Sequence, residues 1–197
     1  MIQYKLENIL LALQKLDYKI YEKPYMLNIV GIRSTEEANK FDDTMCVFWK
    51  DDAGVWNFRQ YPCTTDTGTY YLLKPMSSLG SAMLKEGQYI NAYSLGKHKK
   101  KYPALVQSKQ VCAYRSIDRK ALYVFREESI KCGLYGMNIH KAGINSENVN
   151  NWSAGCQVFK KTADFDEFIA LCKKQDKLYG NNAFTYTLLD TRTNSYA

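Results

Sequence analysis

The first residues of the chain carry an apolar stripe at helical spacing. Hydrophobic side chains recur every three or four residues among polar ones, at Ile2, Leu6, Ile9, Leu10, Leu13 and Leu16. This spacing predicts an amphipathic α-helix from residue 2 to about residue 21, which Pro24 would end. Such a stripe either packs on its own domain or contacts another protein, and the sequence leaves both readings open.

From residue 44 onward the pattern changes to short β-prone runs. The turn residues 51–54 lie between the first two runs and predict a hairpin. Predicted strands are Thr44–Trp49, Val55–Tyr61, Thr69–Leu73, Ala104–Tyr114, Leu122–Phe125, Gly136–His140, Cys156–Phe159 and Ala183–Leu189. The runs predict a mainly antiparallel β architecture with a groove along one face.

A second helix is expected after residue 161. Thr162 is the predicted N-cap, and Gly180 would end the helix behind a lysine-rich last turn. The apolar stripe of this helix consists of Phe165, Phe168, Ile169 and Cys172. The fold class is therefore mainly β with flanking helices. No repeat or low-complexity linker indicates a second globular domain.

One of the two histidines lies shortly upstream of a cysteine in a small-residue turn. An imidazole such as that of His140 can take the proton of a thiol such as Cys156 and stabilise the thiolate as one half of an ion pair. The turn Ser153-Ala154-Gly155 lets the backbone aim successive N–H groups at one point, where an oxyanion could be received. The alternative is a purely structural role for both residues, a buried cysteine beside a structural histidine.

Two motifs resemble those of the L,D-transpeptidases of the YkuD type. Ile139-His140 followed by Ser153-Ala154-Gly155-Cys156 is similar to the family's Ile-His-Gly strand end and its Ser/Thr-His-Gly-Cys turn. Upstream, residues 65–72 are similar to the family's Thr-Pro-x-Gly-x-Phe-x-Ile segment. The resemblance covers roughly residues 44–190. It implies an L,D-transpeptidase-like antiparallel β-sandwich or barrel behind the N-terminal amphipathic helix.

The resemblance also implies roles for individual residues. Cys156 would attack a carbonyl of a peptidoglycan stem peptide, with His140 as base, oriented by a backbone carbonyl rather than by an aspartate. N–H groups of Gly155 and Cys156, with Ser153, would hold the oxyanion. Trp152 and Tyr135 adjoin the motifs and are candidate substrate contacts, or core residues. No metal and no cofactor is implied.

This sequence departs from the family pattern at four places. Asp66 stands where the family has proline, Lys141 and Ala154 replace a glycine and a histidine, and Gln157 stands in the run that usually carries an arginine. The missing arginine would have been a fixed cation for a substrate carboxylate or carbonyl. Water or an amine could then resolve the thioester, and hydrolysis is slightly favoured over transpeptidation.

Composition fits one domain with a core plus a small appendage. The chain has 197 residues, of which 46% are hydrophobic and 24% charged. We expect residues 1–43 to form the N-terminal helix and a connecting segment, and residues 44–197 the catalytic domain. The net charge of +7 favours anionic polymers, but no nucleic-acid motif is present, and the basic run Lys97–Lys101 is typical of a solvated loop.

The six cysteines are scattered, with no pair separated by two residues. This spacing supports neither a zinc ribbon nor a dense disulfide scaffold, although a zinc site at His140, Cys156 and another cysteine stays open. The first residues lack a basic region followed by an apolar core and a cleavage site, so we expect synthesis in the cytoplasm without a signal peptide, and no apolar run approaches a membrane span.

A chain made without export conflicts with a cell-wall substrate. One hypothesis resolves the conflict: a bacteriophage protein that is carried in the virion or released to the cell wall. Its N-terminal helix would then be a candidate contact for other virion or phage proteins. The rival hypothesis is a structural or virion protein that keeps the fold without the chemistry.

Overall fold

The computed structural model describes residues 2–34, 39–118 and 125–192 of the chain. This part of the chain is mainly β, which confirms the predicted class. Its α-helices are α1 (Leu6–Lys15), α2 (Thr69–Leu73) and α3 (Thr162–Tyr179). Its strands are β1 (Asn28–Arg33), β2 (Asp43–Lys50), β3 (Trp56–Thr64), β4 (Ser81–Leu84), β5 (Gly87–His98), β6 (Tyr102–Gln107), β7 (Val111–Ser116), β8 (Lys131–Gly133), β9 (Ile139–Lys141), β10 (Gln157–Phe159) and β11 (Phe184–Asp190).

Eight of these strands form a closed barrel in the order β1-β11-β5-β6-β9-β10-β3-β2. The pairs β1–β11 and β9–β10 are parallel, and the other pairs are antiparallel. A separate three-stranded sheet has the order β4-β7-β8. Closing the barrel satisfies the backbone groups that an open sheet would leave at its edges.

The segment predicted to connect the N-terminal helix to the catalytic domain contains strand β1 of the barrel. β1 lies between β2 and β11 in the barrel, so the segment expected to be a connector supplies a central strand. Its six residues Asn-Ile-Val-Gly-Ile-Arg are all buried, as is typical of a strand covered on both faces. Their continuous burial explains why no period-two alternation marked them.

Helix α1 is shorter than the predicted helix and packs on the barrel. Ile9 and Leu13 are fully buried in one cluster with Phe48 of β2 and Leu189 of β11. The centre of the apolar stripe therefore packs on the domain itself, whereas Ile2 and Leu16 at its ends and Leu11 beside it are exposed. None of the helices in the described ranges is both long and apolar enough to cross a membrane.

Helix α3 confirms the predicted apolar stripe and corrects its cap. Phe165, Phe168, Ile169 and Cys172 are buried in the main core. The N-cap is Lys161, and the hydroxyl of Thr162 donates to the carbonyl of Gly143 instead. Gly180 ends the helix in the left-handed conformation, as predicted.

The strand predictions succeed where a turn separates two alternating runs. The hairpin β2–β3 is confirmed, and the Asp51 carboxylate accepts N–H groups of Ala53 and Val55 in its turn. The run Ala104–Tyr114 is two strands, β6 and β7, rather than one. The run Thr69–Leu73 is helix α2, so that prediction was wrong.

Two further predicted strands are only partly testable or are shorter than expected. In the predicted strand Leu122–Phe125, residues 122–124 lie outside the described residues, and Phe125 is not in a strand. The strand expected over Gly136–His140 is reduced to β9.

A disulfide joins Cys112 of β7 to Cys132 of β8, two residues directly opposite each other. Scattered spacing gave no sign of this bond, because the cysteines meet only through the register of the second sheet. Cys46, Cys63, Cys156 and Cys172 are free.

Candidate functional site

The parallel pair β9–β10 brings the predicted nucleophile and base to one place. Its register sets Val158 opposite His140 and Gln157 opposite Ile139. Side chains alternate along a strand, so Cys156, two residues before Val158, belongs to the same face as His140. Both side chains line a single cavity of about 520 Å³.

The barrel and the second sheet form this cavity together. Tyr135 and Trp152, the predicted substrate contacts, both line it, and the Trp152 side chain is 42% exposed. Other lining residues come from β4, β5, β7 and the loops near Cys156, and include Ala82, His98, Lys99, Arg115, Gly136 and Asn138. All of the predicted site residues except Ser153 and Gly155 therefore face the cavity.

Cys156 is a free and half-buried thiol. Burial raises the pKa of this thiol to about 11, although a backbone hydrogen bond from Asn138 and the charge of Lys99 oppose that shift. Its sulfur lies 3.6 Å from the carbonyl oxygen of Gly136, to which the S–H donates. The resting sulfur is therefore a protonated thiol.

His140 is 2% exposed, and a backbone carbonyl orients its ring. Nδ1 lies 2.9 Å from the carbonyl oxygen of Lys141, so a proton on Nδ1 makes that hydrogen bond and leaves Nε2 as the acceptor. The Tyr102 hydroxyl lies 3.4 Å from the same Nδ1. Burial and then the nearby His98 lower the pKa of His140 to about 3.

These two pKa shifts correct the expected thiolate–imidazolium pair. Burial disfavours both charged forms, so at neutral pH the site holds a neutral thiol and a neutral imidazole. An imidazole with a free Nε2 is a competent proton acceptor in this state. The proton would move as the sulfur attacks rather than before.

His98 is a site residue that the sequence reasoning assigned to an exposed lysine loop. It is the last residue of β5, is 8% exposed, and stacks on His140 with ring centres 3.9 Å apart. The Asn138 side-chain amide lies 3.1 Å from its Nδ1. Alternation along β5 leaves Lys97 exposed and turns His98 inward, and the surrounding lysines gave no sign of this in the sequence.

The turn before the cysteine is held by Ser153. Its buried hydroxyl accepts the N–H of Gly155 at 3.1 Å and donates to the carbonyl of Cys156 at 2.8 Å. Ser153 and the N–H of Gly155 are therefore engaged within the turn, and their predicted role as oxyanion donors would require these hydrogen bonds to break. The N–H of Cys156 has no acceptor among the described residues and is the donor left for an oxyanion.

Position 155 requires a glycine because of its backbone conformation and the lack of space around it, not because of its N–H. Its φ is +118°, and a Cβ at this position would lie 2.8 Å from the carbonyl oxygen of Ala82 on β4. Any side chain would strain the backbone and push the turn away from the second sheet. The small-residue turn thus fixes where Cys156 stands.

The upstream motif packs directly against the cysteine turn. Gly68 donates its N–H to the carbonyl of Ser153 at 2.9 Å, and a Cβ on Gly68 would lie 2.0 Å from the carbonyl oxygen of Asn150. Two residues earlier, Asp66 pairs with the buried Arg33 at 2.9 Å. The two motifs that carried the resemblance are therefore in contact, although one enters a helix rather than a strand.

No protein-family model, curated protein or solved structure matches this chain. The family assignment therefore depends on the motif residues alone. Within the described ranges, no group of three or more His, Cys, Asp or Glu side chains is placed to hold a metal ion.

The low pKa of His140 predicts a pH-dependent stability. An unfolded histidine titrates near ~6.5, so acidification below that pH protonates the unfolded chain before the folded one. The free energy of unfolding should fall by up to about 1.4 kcal/mol per pH unit below pH ~6.5, or about 2 kcal/mol at pH 5. Urea denaturation of the wild type and of His140→Gln, each at pH 7 and pH 5, isolates the contribution of His140 to this pH dependence.

The variant should lose less stability on acidification than the wild type. Arg59→Gln, which changes an exposed ion pair with Glu167, is the matched control and should keep the wild-type slope. Equal slopes in the wild type and His140→Gln would show that this imidazole is not buried in its neutral form.

Proposed function

We propose that the protein is a cysteine-dependent acyl-transfer enzyme that acts on peptidoglycan stem peptides. The observation that carries the proposal is the shared cavity. A free thiol, Cys156, and a carbonyl-oriented imidazole, His140, line it together. A nucleophile and an oriented base at one cavity are the minimum that acyl transfer through a thioester needs.

The chemistry begins when the thiol turns from the Gly136 carbonyl to Nε2 of His140. As sulfur attacks the substrate carbonyl, its proton passes to Nε2, and the N–H of Cys156 stabilises the oxyanion. Collapse of the tetrahedral intermediate breaks the amide bond, and the imidazolium returns the proton to the leaving amine. Water or an amine then attacks the thioester, gives its proton to His140, and releases the free thiol.

The choice of stem peptides is supported by the motif resemblance and by the walls of the cavity. Trp152 and Tyr135 offer flat surfaces for a peptide or sugar. The run Gln157-Val158-Phe159 lacks the family's arginine, and hydrolysis remains the favoured outcome of the thioester. A phage protein that is carried in the virion or released to the cell wall would meet this substrate without export.

A second candidate function is a structural or virion protein in which the chemistry has lapsed. The observation that favours it is the set of hydrogen bonds at rest. The thiol of Cys156 is engaged by Gly136 and the N–H of Gly155 by Ser153, so catalysis needs one of these contacts to change. This candidate predicts a stable fold with no peptide products.

Incubation with purified peptidoglycan decides between them. The wild-type protein should release or cross-link stem peptides that mass spectrometry identifies, and Cys156→Ala should release none above background. Matched amounts of Arg59→Gln, which lies outside the cavity, should act like the wild type. Absence of products from the folded wild type, or equal products from Cys156→Ala, would contradict the enzyme proposal.

A further inference from the structure

A guanidinium lines the same cavity as the thiol. Arg115 is on β7 directly opposite Ala82 of β4, so both side chains are on the sheet face that lines the cavity. The guanidinium carbon lies 4.7 Å from the centre of the Tyr135 ring, and Nη1 donates to the carbonyl of Gly80 at 3.3 Å. A ring and a carbonyl therefore hold this cation in place.

Arg115 has donors without acceptors. Its Nε is buried and has no hydrogen-bond partner among the described residues, and no carboxylate of those residues lies within ion-pair distance. By contrast, the buried Arg33 pairs with Asp66 and Asp190. A buried N–H without an acceptor costs stability, and such groups in native proteins call for an explanation. A ligand that brings an acceptor explains this one.

The charge of the cavity indicates what that ligand is. Lys99 is an exposed second cation of this cavity, and no aspartate or glutamate of the described residues lines it. The chemistry favours an anion, and the planar fork of an arginine matches a carboxylate through two parallel hydrogen bonds. Ala82 links the two groups in space, because its carbonyl contacts Gly155, next to Cys156.

We propose that Arg115 anchors the carboxylate of an acyl substrate while its carbonyl faces Cys156. The substrate class is then peptides, or other acyl compounds, with an ionised carboxylate close to the bond that is attacked. This inference rests on the proposed function for the reaction that follows binding, whereas anion binding itself does not need turnover. Arg115 thereby supplies, from the second sheet, a cation that the run after Cys156 lacks, since Gln157 and Val158 are both uncharged and buried.

Alkylation of Cys156 by iodoacetate and iodoacetamide tests the cation without any enzymatic activity. The two reagents differ in charge, and the thiolate fraction cancels in the ratio of their rates at one sulfur. We expect Arg115→Gln to lower the iodoacetate rate about ten-fold relative to the iodoacetamide rate, as for the loss of one charged hydrogen bond. Arg115→Lys keeps the charge but loses the planar guanidinium, so its ratio of iodoacetate to iodoacetamide rates should lie between those of the wild type and Arg115→Gln. The ratio for Arg59→Gln should match that of the wild type.

A binding measurement covers the case in which the thiol reacts too slowly. In a Cys156→Ala background, intrinsic tryptophan fluorescence, to which Trp152 in the cavity contributes, can follow titration with a stem tetrapeptide ending in a free carboxylate and with its C-terminal amide. We expect tighter binding of the carboxylate by about ten-fold or more, and no preference once Arg115→Gln is added. Unchanged rate ratios, or an unchanged preference, in folded Arg115→Gln protein would overturn the proposal. If the wild type shows the expected rate ratio and binding preference but does not turn over the peptide, only the acyl-transfer function is overturned.

Discussion

His140→Gln is expected to slow cleavage of stem peptides by about 10²–10⁴-fold, the usual contribution of a general base. The glutamine side chain fills part of the space but cannot take the thiol proton when Cys156 attacks. Burial already holds the pKa of Cys156 at about 11, so without a base almost no thiolate is available. Single-turnover cleavage of a stem tetrapeptide, followed by mass spectrometry, measures the loss.

His98→Gln is the comparison that separates a base from a packing residue. It removes the ring stacked on His140 but leaves the nitrogen that accepts the proton. We expect its loss to stay below about ten-fold, in the range of a contact that positions another group. Equal losses in the two variants would show that the histidine pair acts as packing and that neither ring is the base.

Arg33→Gln is expected to destabilise the fold by about 3–5 kcal/mol, the cost of breaking a buried ion pair from one side. Arg33 is 1% exposed, lies 2.9 Å from Asp66 and 3.4 Å from Asp190, and donates to the carbonyls of Thr65 and Leu84. The variant leaves these carboxylates buried without their central cation. Urea denaturation at pH 7 gives the difference.

The same variant should recover stability on acidification. Burial raises the pKa of Asp66 to about 6 even with Arg33 present, so this carboxyl becomes neutral as the pH falls through that value. The difference between wild type and Arg33→Gln should therefore shrink from pH 7 to pH 5. Arg59→Gln, an exposed pair, should cost at most about 1 kcal/mol at either pH. A cost for Arg33→Gln as small as that would contradict its role as the centre of this cluster.

This cluster links stability to the site. Asp66 begins the segment whose Gly68 holds the carbonyl of Ser153, and Ser153 in turn holds the backbone of Gly155 and Cys156. We therefore expect Arg33→Gln to disturb the backbone of the cysteine turn through these hydrogen bonds, in addition to lowering global stability. The chain of hydrogen bonds gives the upstream motif a physical reason for its place beside the cysteine.

The local sequence pattern was enough to predict the elements that show a clear hydrophobic periodicity or a clear turn sequence. The stripe of α3, the hairpin at residues 51–54 and the placing of His140 and Cys156 at strand ends all follow from short-range signals. Short apolar runs fail because periodicity does not distinguish a strand from a helical turn over five residues, as at Thr69–Leu73. β5 was missed because Asn91, with φ of +51°, interrupts its alternation.

The remaining features depend on tertiary register. Arg115 reaches the cavity because β7 pairs with β4, and Cys112 meets Cys132 because β7 pairs with β8. Neither pairing has a local signature in the sequence. The neutral state of Cys156 and His140 is likewise a consequence of burial, which the sequence motif does not encode.

Peptide mapping after exposure to a carbapenem tests the central claim most directly, since this reagent acylates an activated thiol and leaves a mass tag on it. The account predicts one adduct, on Cys156, which is absent in Cys156→Ala and forms at least about 10²-fold more slowly in His140→Gln. The other free cysteines are buried and should stay unlabelled. An adduct that forms equally fast without His140, or a folded wild-type protein that forms none, would contradict the account.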